Sequence, residues 1–296
     1  MPSRSYAYKV VDVFTETPFE GNPLAVFPDA GGLSDSEMQA VAGELNLSET
    51  SFVFPAGREG AAAALRIFTP RTEVPFAGHP TIGTAFALCR LGRIPADAAG
   101  FVLDERVGPV PVRLESTAPF RAWLRTPPID FGPTYDAAAC AAALGLAGDD
   151  LLDGAPVQTV SAGNPFLFVP LRTEAAVDRA SLASGAIERA APGVAANGVF
   201  VFTPRPGGAY SRMFAPMAGI VEDPATGSAT GPLAAYLVAY GLCERREGLR
   251  LLSEQGVKMG RRSHVHAIIH LEGDALGSIE IGGSAVEVIS GTVTLP

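Results

Sequence analysis

The stretch "HPTIGTA", residues 79–85, is matched later in the chain by "DPATGSA", residues 223–229. Each combines an ionisable residue, a proline and several small residues, and each opens a long apolar segment. Proline suits the first turn of a helix, where its missing N–H would have no partner, and small side chains leave the backbone accessible. The two stretches therefore predict two equivalent helix starts, with His79 aligned on Asp223.

Other stretches repeat in the same order along the two halves of the chain. "GNPLAVFP" at residues 21–28 matches "GNPFLFVP" at 163–170, and "FTP" at 68–70 matches "FAP" at 214–216. An ordered repeat of this kind indicates a duplicated unit. We therefore predict an α+β protein of two similar domains, each with short strands, an early helix and a late helix that begins at the repeated motif.

The domain boundary is predicted at the proline-rich stretch "RTPPIDFGP", residues 125–133. The first domain is expected to span residues 1–128 and the second residues 129–283. The last segment, residues 284–296, is left over after the second copy, and we expect it to complete the first domain as a strand.

The two late helices are predicted over residues 80–91 and 224–240, each followed by a glycine of the kind that ends helices. The pair Gly231-Pro232 lies inside the second helix, and proline removes a hydrogen bond from a helix interior. We therefore expect the second helix to bend or break there.

The first N–H groups of a helix have no partner within the helix, so a helix start of this composition can bind an anion. Taken alone, an Asp-Pro pair is more often a cap than a binding site. The different ionisable residues at matched positions, His79 and Asp223, favour a site for a small carboxylate that both starts approach. The small first-turn residues that would admit the ligand are Thr81, Gly83, Thr226, Gly227 and Ser228.

The composition excludes several classes of function. The chain has 296 residues, 22 basic against 31 acidic side chains and a net charge of −9, without a run of Lys or Arg that could follow a phosphate backbone. Nucleic acids and anionic membranes are therefore poor partners. The N-terminus lacks the pattern of a signal peptide and no apolar stretch is long enough to span a membrane, so we expect a cytoplasmic protein.

Cysteine and histidine positions give little support to a metal site or a cofactor. The three cysteines are far apart and lack CxxC spacing, and no nucleotide-binding glycine motif occurs, so we predict no cofactor. The histidines in "HVHAIIH" would share one face of a strand, which permits a metal site, although exposed strand histidines are commoner. These residues are His264, His266 and His270.

Five stretches together resemble one known family, the PhzF-like isomerases of phenazine biosynthesis, which share the fold of diaminopimelate epimerase. The stretches span most of the chain and include the specific pair "AGHPT" and "EDPATGSA". They are "DVFTETPFEGNPLAVF" at residues 12–27, "LNLSETSFVF" at 45–54, "FTPRTEVPFAGHPTIGTA" at 68–85, "EDPATGSATGPLAAYL" at 222–237 and "EQGVKMGRRS" at 254–263.

The resemblance implies two pseudo-symmetric domains, each a β-barrel-like sheet wrapped around a central helix, closing over a central cleft. It also implies a homodimer. The family's proton-shuttling glutamate matches Glu49, whose partly buried carboxyl would have a pKa raised toward neutrality. His79 and Asp223 match residues that assist it. The predicted substrate-binding residues are Ser48, Gly78, Thr81, Thr226, Gly227 and Ser228.

The resulting hypothesis is a cofactor-independent isomerase that moves a proton between carbons of a small cyclic or unsaturated carboxylic acid. A two-base racemase or epimerase that pairs Glu49 with Asp223 or His79 is the alternative within enzymes. A catalytically idle protein that binds a ligand or a partner is the alternative outside them. The thiol chemistry of diaminopimelate epimerase is not expected, because neither helix start carries a cysteine.

Overall fold

The computed structural model describes residues 3–182, 184–193, 198–216 and 220–296. The first elements are β1 Arg4–Val13, β2 Asn22–Phe27, α1 Asp35–Leu45, β3 Glu49–Phe54, β4 Ala63–Phe68, β5 Glu73–Val74, α2 Gly78–Arg90, β6 Gly100–Glu105, β7 Gly108–Thr117 and β8 Phe120–Arg125. The others are β9 Asp130–Thr134, α3 Ala137–Ala143, β10 Gln158–Ser161, β11 Pro165–Pro170, α4 Glu174–Arg179, α5 Ser184–Ala190, β12 Val199–Arg205, β13 Gly208–Ala215, β14 Ile220–Asp223, α6 Gly227–Ala239, β15 Leu249–Gln255, β16 Ser263–Glu272, β17 Ala275–Gly283 and β18 Ala285–Leu295.

The chain divides into two compact units. Unit 1 contains residues 1–124 and 282–296, and unit 2 contains residues 125–281. The sequence placed these divisions after residues 128 and 283. The last strand, β18, pairs antiparallel with β1 along its whole length, from Leu295 opposite Arg4 to Ala285 opposite Val13.

The two units follow the same path. In unit 1, β2 is parallel to β3, β3 is antiparallel to β4, and β4 is parallel to β6, which is antiparallel to β7. In unit 2, β11, β12, β13, β15 and β16 repeat these four relations in order. This agreement confirms the predicted α+β architecture of two pseudo-symmetric domains.

Each unit has one deeply buried helix. In α2 the residues from Gly78 to Leu88 are all buried, and strands from across the sheet of unit 1 contact the helix: β1, β2, β3, β7 and β18. In unit 2, α6 is equally buried and contacts β10 and β16. A helix that is apolar on all sides needs such a surrounding sheet. Within the described ranges, no helix combines the length and apolar character needed to cross a membrane.

The structure corrects the alignment of the two helix starts. Helix α2 begins at Gly78 after Ala77, and α6 begins at Gly227 after Thr226. His79 is therefore the second helical residue and corresponds to Ser228, whereas Asp223 is the last residue of β14. The prediction that His79 and Asp223 occupy equivalent positions at the two helix starts was wrong, because aligning the motifs on their prolines places a residue of α2 opposite the turn that precedes α6.

Helix α6 also continues through Pro232, against the expectation of a break. Proline at this position removes one hydrogen bond, to Ser228 in the first turn. Burial of the helix on both sides of Pro232 compensates for that loss, since Gly231, Leu233 and Ala234 are all buried. Tertiary packing therefore decides the continuity of this helix.

An arginine–glutamate ion pair holds the short strand that precedes the buried helix in each unit. In unit 1, Arg66 on β4 donates two hydrogen bonds to Glu73 on β5, at 2.8 and 2.7 Å. In unit 2, Arg212 on β13 donates two to Glu222 on β14, both at 2.8 Å. Each guanidinium also lies over the ring of the phenylalanine two residues later. The repeat thus preserves a bidentate ion pair beside each helix start.

The small size of Gly83 serves packing rather than ligand access. A Cβ atom at this position in α2 would lie 2.6 Å from Cδ2 of Leu24 and 2.8 Å from Cγ2 of Val13. Gly83→Ala is expected to lower the free energy of unfolding by about 1–3 kcal/mol, because the core must shift to admit the methyl group. The free energy of unfolding is measured by urea denaturation, monitored through the fluorescence of Trp123, which is buried in the same unit.

The matched control for this change is Gly43→Ala in the exposed part of α1. A Cβ atom there meets Pro70 O at an ordinary 3.6 Å, so the gain in helix propensity is expected to stabilise the protein by about 0.5–1 kcal/mol. A Gly83→Ala protein as stable as the Gly43→Ala protein would contradict the tight packing of α2 against β1 and β2.

Candidate active site

The turn between α1 and β3 delivers Glu49. Helix α1 ends at Leu45, and Asn46 follows with a left-handed φ of 51°, which reverses the chain. Glu49 is then the first residue of β3, where it pairs with Leu24 of the parallel strand β2. Its side chain is 15% exposed and Oε2 is buried, so the carboxylate is largely shielded from water.

His79 lies beside this carboxylate. Nε2 of His79 is 3.1 Å from Oε2 of Glu49, and the imidazole is 8% exposed. Burial lowers the pKa of His79 to about 3, so the ring is neutral at physiological pH and the contact joins a carboxyl group to a neutral imidazole. Apart from this contact, Nε2 of His79 has no hydrogen-bond partner among the described residues. The pair thus joins a shielded carboxyl group and a neutral imidazole at contact distance, although the angles of this contact fall outside hydrogen-bond geometry.

The start of α2 leaves backbone donors next to the pair. No side chain caps α2, whose N-cap is Ala77, whereas Ser34, Asp136 and Thr173 accept backbone hydrogen bonds at the starts of α1, α3 and α4. The N–H groups of Gly78 and His79 lack helical acceptors, because they belong to the first turn. An uncapped start with a partial positive charge suits a carboxylate or a developing negative charge.

In unit 2, Asp223 is held by a compact set of hydrogen bonds. Its Oδ2 lies 2.5 Å from the hydroxyl of Thr226, and its backbone carbonyl accepts from the side-chain amide of Gln255 at 2.7 Å. The same amide group donates to the Thr226 hydroxyl at 2.9 Å and accepts from the Thr226 backbone N–H at 3.1 Å. Gln255 thus fixes the turn between β14 and α6.

The start of α6 resembles that of α2. Its N-cap, Thr226, makes no side-chain capping hydrogen bond to the helix, because its hydroxyl is directed to Asp223. Gly227 is buried at the first helical position, and Ser228 is half-buried at the second. Gly256, next to Gln255, adopts a left-handed φ of 76°, and a Cβ there would lie 2.7 Å from Pro224 O, so this loop packs tightly against the turn.

The predicted site residues thus form two groups, each within its own unit. Unit 1 brings Glu49 and His79 into contact, with Gly78 and Thr81 in the same helical turn as His79 and the half-buried Ser48 just before Glu49. Unit 2 brings Asp223 and Thr226 into contact, followed by Gly227 and Ser228.

Sequence reasoning missed two buried polar residues that touch these groups. Gln255 lies in the quoted stretch "EQGVKMGRRS" but was assigned no role there. Glu105 is 6% exposed and lies 2.8 Å from the Thr81 hydroxyl. No local sequence pattern distinguishes a single glutamate at the end of a strand. The contact of Glu105 with Thr81 is known only from the packing of β6 against α2.

The histidines of β16 lie among carboxylates. Nδ1 of His270 is 3.0 Å from Glu247, and Nε2 of His264 is 3.6 Å from Glu254. Within the ranges that the structure describes, no group of three or more His, Cys, Asp or Glu side chains could hold a metal ion.

The geometry of unit 1 supports acid–base chemistry at carbon. A shielded carboxylate can take a proton and return it, the neutral imidazole 3.1 Å away can donate to or accept from that carboxyl, and the N–H groups of the helix start can stabilise negative charge that develops on a substrate.

Several known proteins resemble this chain over nearly its whole length. The family model described as phenazine biosynthesis-like protein, PhzC-PhzF, matches residues 11–291. An uncharacterized isomerase of Mesorhizobium japonicum is 38% identical over 96% of this chain and 97% of its own length. The trans-2,3-dihydro-3-hydroxyanthranilate isomerase of Pseudomonas aeruginosa is 36% identical over 98% of this chain and 100% of its own. The crystal structure of a Bacillus anthracis phenazine biosynthesis protein of the PhzF family superposes with a TM-score of 0.89 at 27% identity, covering 98% of this chain and 99% of the other.

Proposed function

Because the chain belongs to the PhzC-PhzF family and is an isomerase, we propose that it moves a proton between two carbons of a small cyclic or unsaturated carboxylic acid, without a cofactor. The observation that carries this proposal is the shielded carboxylate of Glu49, 3.1 Å from the neutral imidazole of His79 at an uncapped helix start.

In the proposed reaction Glu49 acts as both base and acid. Its carboxylate takes a proton from a carbon next to the unsaturated system, and the electron pair of the C–H bond delocalises through that system toward the substrate carboxylate. The protonated Glu49 then gives a proton to a second carbon, either the one that it took or one that the carboxyl has exchanged with solvent, and this step restores the carboxylate. No proton or electron is gained or lost overall, so the reaction needs no redox partner.

His79 supports this cycle from the Oε2 side of Glu49. A neutral imidazole can donate a hydrogen bond to the carboxylate before proton transfer and can reorient when the carboxyl is protonated. Because burial keeps the pKa of His79 near 3, His79 does not form a stable imidazolium that would hold Glu49 ionised. The carboxyl group is therefore able to cycle between its two protonation states.

The substrate class follows from the polar groups and from the relatives. The uncapped starts of α2 and α6 offer backbone N–H groups suited to a carboxylate, and Thr226 and Ser228 offer hydroxyls. One relative acts on trans-2,3-dihydro-3-hydroxyanthranilate, a cyclic unsaturated acid. We assign Asp223, Thr226 and Ser228 to substrate binding as well, because they lie at the helix start of unit 2 that repeats the start of α2.

Exchange with D₂O tests the reaction class. The protein is incubated in D₂O with a panel of cyclic and open-chain unsaturated carboxylic acids, and substrate and product are examined by proton NMR. We expect a double-bond shift in at least one acid of the cyclic set, with deuterium entering at the carbon that is reprotonated. The Glu49→Gln protein serves as the matched control for background exchange.

The other outcomes separate the alternatives. Deuterium at a stereocentre together with inversion, and without a double-bond shift, would identify a racemase or epimerase. Binding of an acid with neither exchange nor rearrangement, in a protein whose fold is intact, would identify a binding protein and contradict the proposal.

A further inference from the structure

Glu105 occupies the place in unit 1 that Gln255 occupies in unit 2. The parallel pairing of β4 with β6 sets Ala64 opposite Asp104, and that of β13 with β15 sets Tyr210 opposite Glu254. In each unit the next residue ends the strand and turns its side chain to the buried helix: Glu105 in unit 1 and Gln255 in unit 2. The duplication therefore pairs a glutamate with a glutamine.

Both side chains contact a threonine hydroxyl at the start of the site helix. In unit 2 the Gln255 amide donates to Thr226 at 2.9 Å, and the Thr226 hydroxyl in turn lies 2.5 Å from the carboxylate of Asp223. In unit 1, Oε1 of Glu105 lies 2.8 Å from the Thr81 hydroxyl, which also lies 2.8 Å from the carbonyl of Ala77. Each unit thus links three polar groups through a threonine, but the two threonines differ in position: Thr226 is the N-cap of α6, and Thr81 lies in the first turn of α2.

The Thr81 hydroxyl has one proton and two oxygens at 2.8 Å, so both contacts can be hydrogen bonds at once only if Glu105 is a donor. A carbonyl oxygen can only accept, so in that arrangement the bond to Ala77 uses the hydroxyl proton. A carboxylate at Glu105 would then face the hydroxyl oxygen with no proton between them. A carboxylic acid supplies the missing proton and donates to Thr81, as the amide of Gln255 donates to Thr226.

The surroundings of Glu105 also favour the acid. Its side chain is 6% exposed, and Oε2 has no hydrogen-bond partner among the described residues. Burial is the largest cause that raises the pKa of Glu105 from its usual 4.5 to about 8. The group is therefore protonated at neutral pH.

Charged neighbours on the adjoining elements are engaged elsewhere. On either side of Glu105 in the chain, Asp104 pairs with Arg58 and Arg106 pairs with Glu73. On α2, the imidazole of His79 is neutral. On the other strands beside β6, Arg66 of β4 pairs with Asp35 and Glu73, while on β7 Glu115 accepts from the indole of Trp123 and Arg113 lies over its ring.

We propose that Glu105 is a positioning residue that holds the first turn of α2, and with it His79, by donating a hydrogen bond as a neutral carboxylic acid. The link is short, because Thr81 lies two residues after His79 and both its hydroxyl and its N–H bond to Ala77, the N-cap. Ionisation of Glu105 would take the Thr81 proton away from Ala77 and loosen this turn. The catalytic consequence rests on the proposed function, in which His79 supports Glu49.

Two variants of Glu105 test whether its hydrogen bond, and not only its volume, is needed. Glu105→Gln keeps a donor in the place of the acid but cannot ionise, and Glu105→Met keeps similar length and removes the donor. At pH 7, Glu105→Met is expected to lower kcat roughly 10- to 100-fold with little change in KM, because the contact of His79 with Glu49 is displaced. Glu105→Gln is expected to rescue most of that loss.

The dependence of kcat on pH distinguishes a positioning role from a purely structural one, because a structural role predicts no change in the profile. The kcat of the natural protein should fall as the pH rises above about 8, where Glu105 ionises, and the Glu105→Gln profile should lack that limb. An alkaline limb unchanged in Glu105→Gln, or full activity of Glu105→Met, would overturn the proposal.

Denaturation and NMR test the same proposal without a substrate. A pKa that folding raises from 4.5 to about 8 contributes stability that is complete below pH 4.5 and is lost by about pH 8. The urea midpoint of Glu105→Gln should therefore rise relative to that of the natural protein across this range. The imidazole nitrogen resonances of His79, assigned by their loss in His79→Ala, should move in Glu105→Met and stay in place in Glu105→Gln.

These two measurements distinguish the failure of each idea. If no acid is isomerised but the midpoints diverge and the His79 resonances move as stated, the proposed function fails and the positioning role of Glu105 stands. The positioning role fails, whatever the enzyme catalyses, in either of two cases. In the first, the urea midpoints of the natural protein and of Glu105→Gln differ by the same amount at every pH; in the second, the His79 resonances of Glu105→Met are those of the natural protein.

Discussion

Glu49→Gln is expected to lower kcat by a factor on the order of 10² to 10⁴ while leaving the affinity for substrate nearly unchanged. The amide keeps the size and the hydrogen-bonding capacity of the side chain 3.1 Å from His79, but it cannot take a proton from carbon. Steady-state kinetics on an acid that the natural protein isomerises, together with binding measured by calorimetry, separates the two quantities.

The same substitution at Glu44, an exposed residue of α1, is the control and should leave kcat unchanged. His79→Ala and Asp223→Asn are expected to cost less than Glu49→Gln, because they assist a step that Glu49 still performs. If Asp223→Asn abolishes reaction in one direction as completely as Glu49→Gln, a two-base mechanism replaces ours. A Glu49→Gln protein as active as its parent would remove Glu49 from the chemistry.

Arg212→Ala is expected to lower the free energy of unfolding by about 3–5 kcal/mol, the range for removing one partner of a buried ion pair. The side chains of Arg212 and Glu222 are 10% and 13% exposed, so the substitution leaves a shielded carboxylate without its partner. It also removes the donor to three carbonyls at the end of α4, those of Val177, Asp178 and Ala180. Urea denaturation followed by circular dichroism measures the loss.

Arg246→Ala in the same unit is the matched control. Arg246 and Glu244 form a longer contact of 3.5 Å with side chains 61% and 78% exposed, and water screens such a pair, so the expected change is below about 1 kcal/mol. Equal losses for the two variants would show that the Arg212 network does not hold β13, β14 and the end of α4 together.

Much of the fold could be predicted because the two units share short apolar sequence motifs in the same order. "GNPLAVFP" and "GNPFLFVP" became the equivalent strands β2 and β11, and "FTP" and "FAP" mark the ends of β4 and β13. These motifs survive because each fills the same position in a sheet around a buried helix. The helix starts were misaligned because a proline can occupy either the turn, as Pro224 does, or the helix, as Pro80 does.

The candidate site was less accessible to sequence reasoning. The residues next to Glu49 do not form a recognisable catalytic motif by themselves. Glu49 was proposed as catalytic only because the stretch around it resembles a motif of the family. His79 was singled out as an unusual residue at a helix start, but its contact with Glu49 depends on the packing of α2 against β3. Neither the role of Gln255 nor that of Glu105 could be inferred, because the residues they touch are more than twenty positions away in the chain.

The sequence by itself determined the composition of the two units, the order of their strands and the two apolar helices that begin with small residues. These properties depend on local pattern, since the spacing of apolar side chains and the placement of Gly and Pro act over a few residues. Tertiary structure alone decided which polar groups meet: Glu49 with His79, Asp223 with Thr226 and Gln255, and Glu105 with Thr81. Their contacts and their protonation depend on burial and on partners from distant strands, because desolvation and hydrogen bonding act through space and not along the chain.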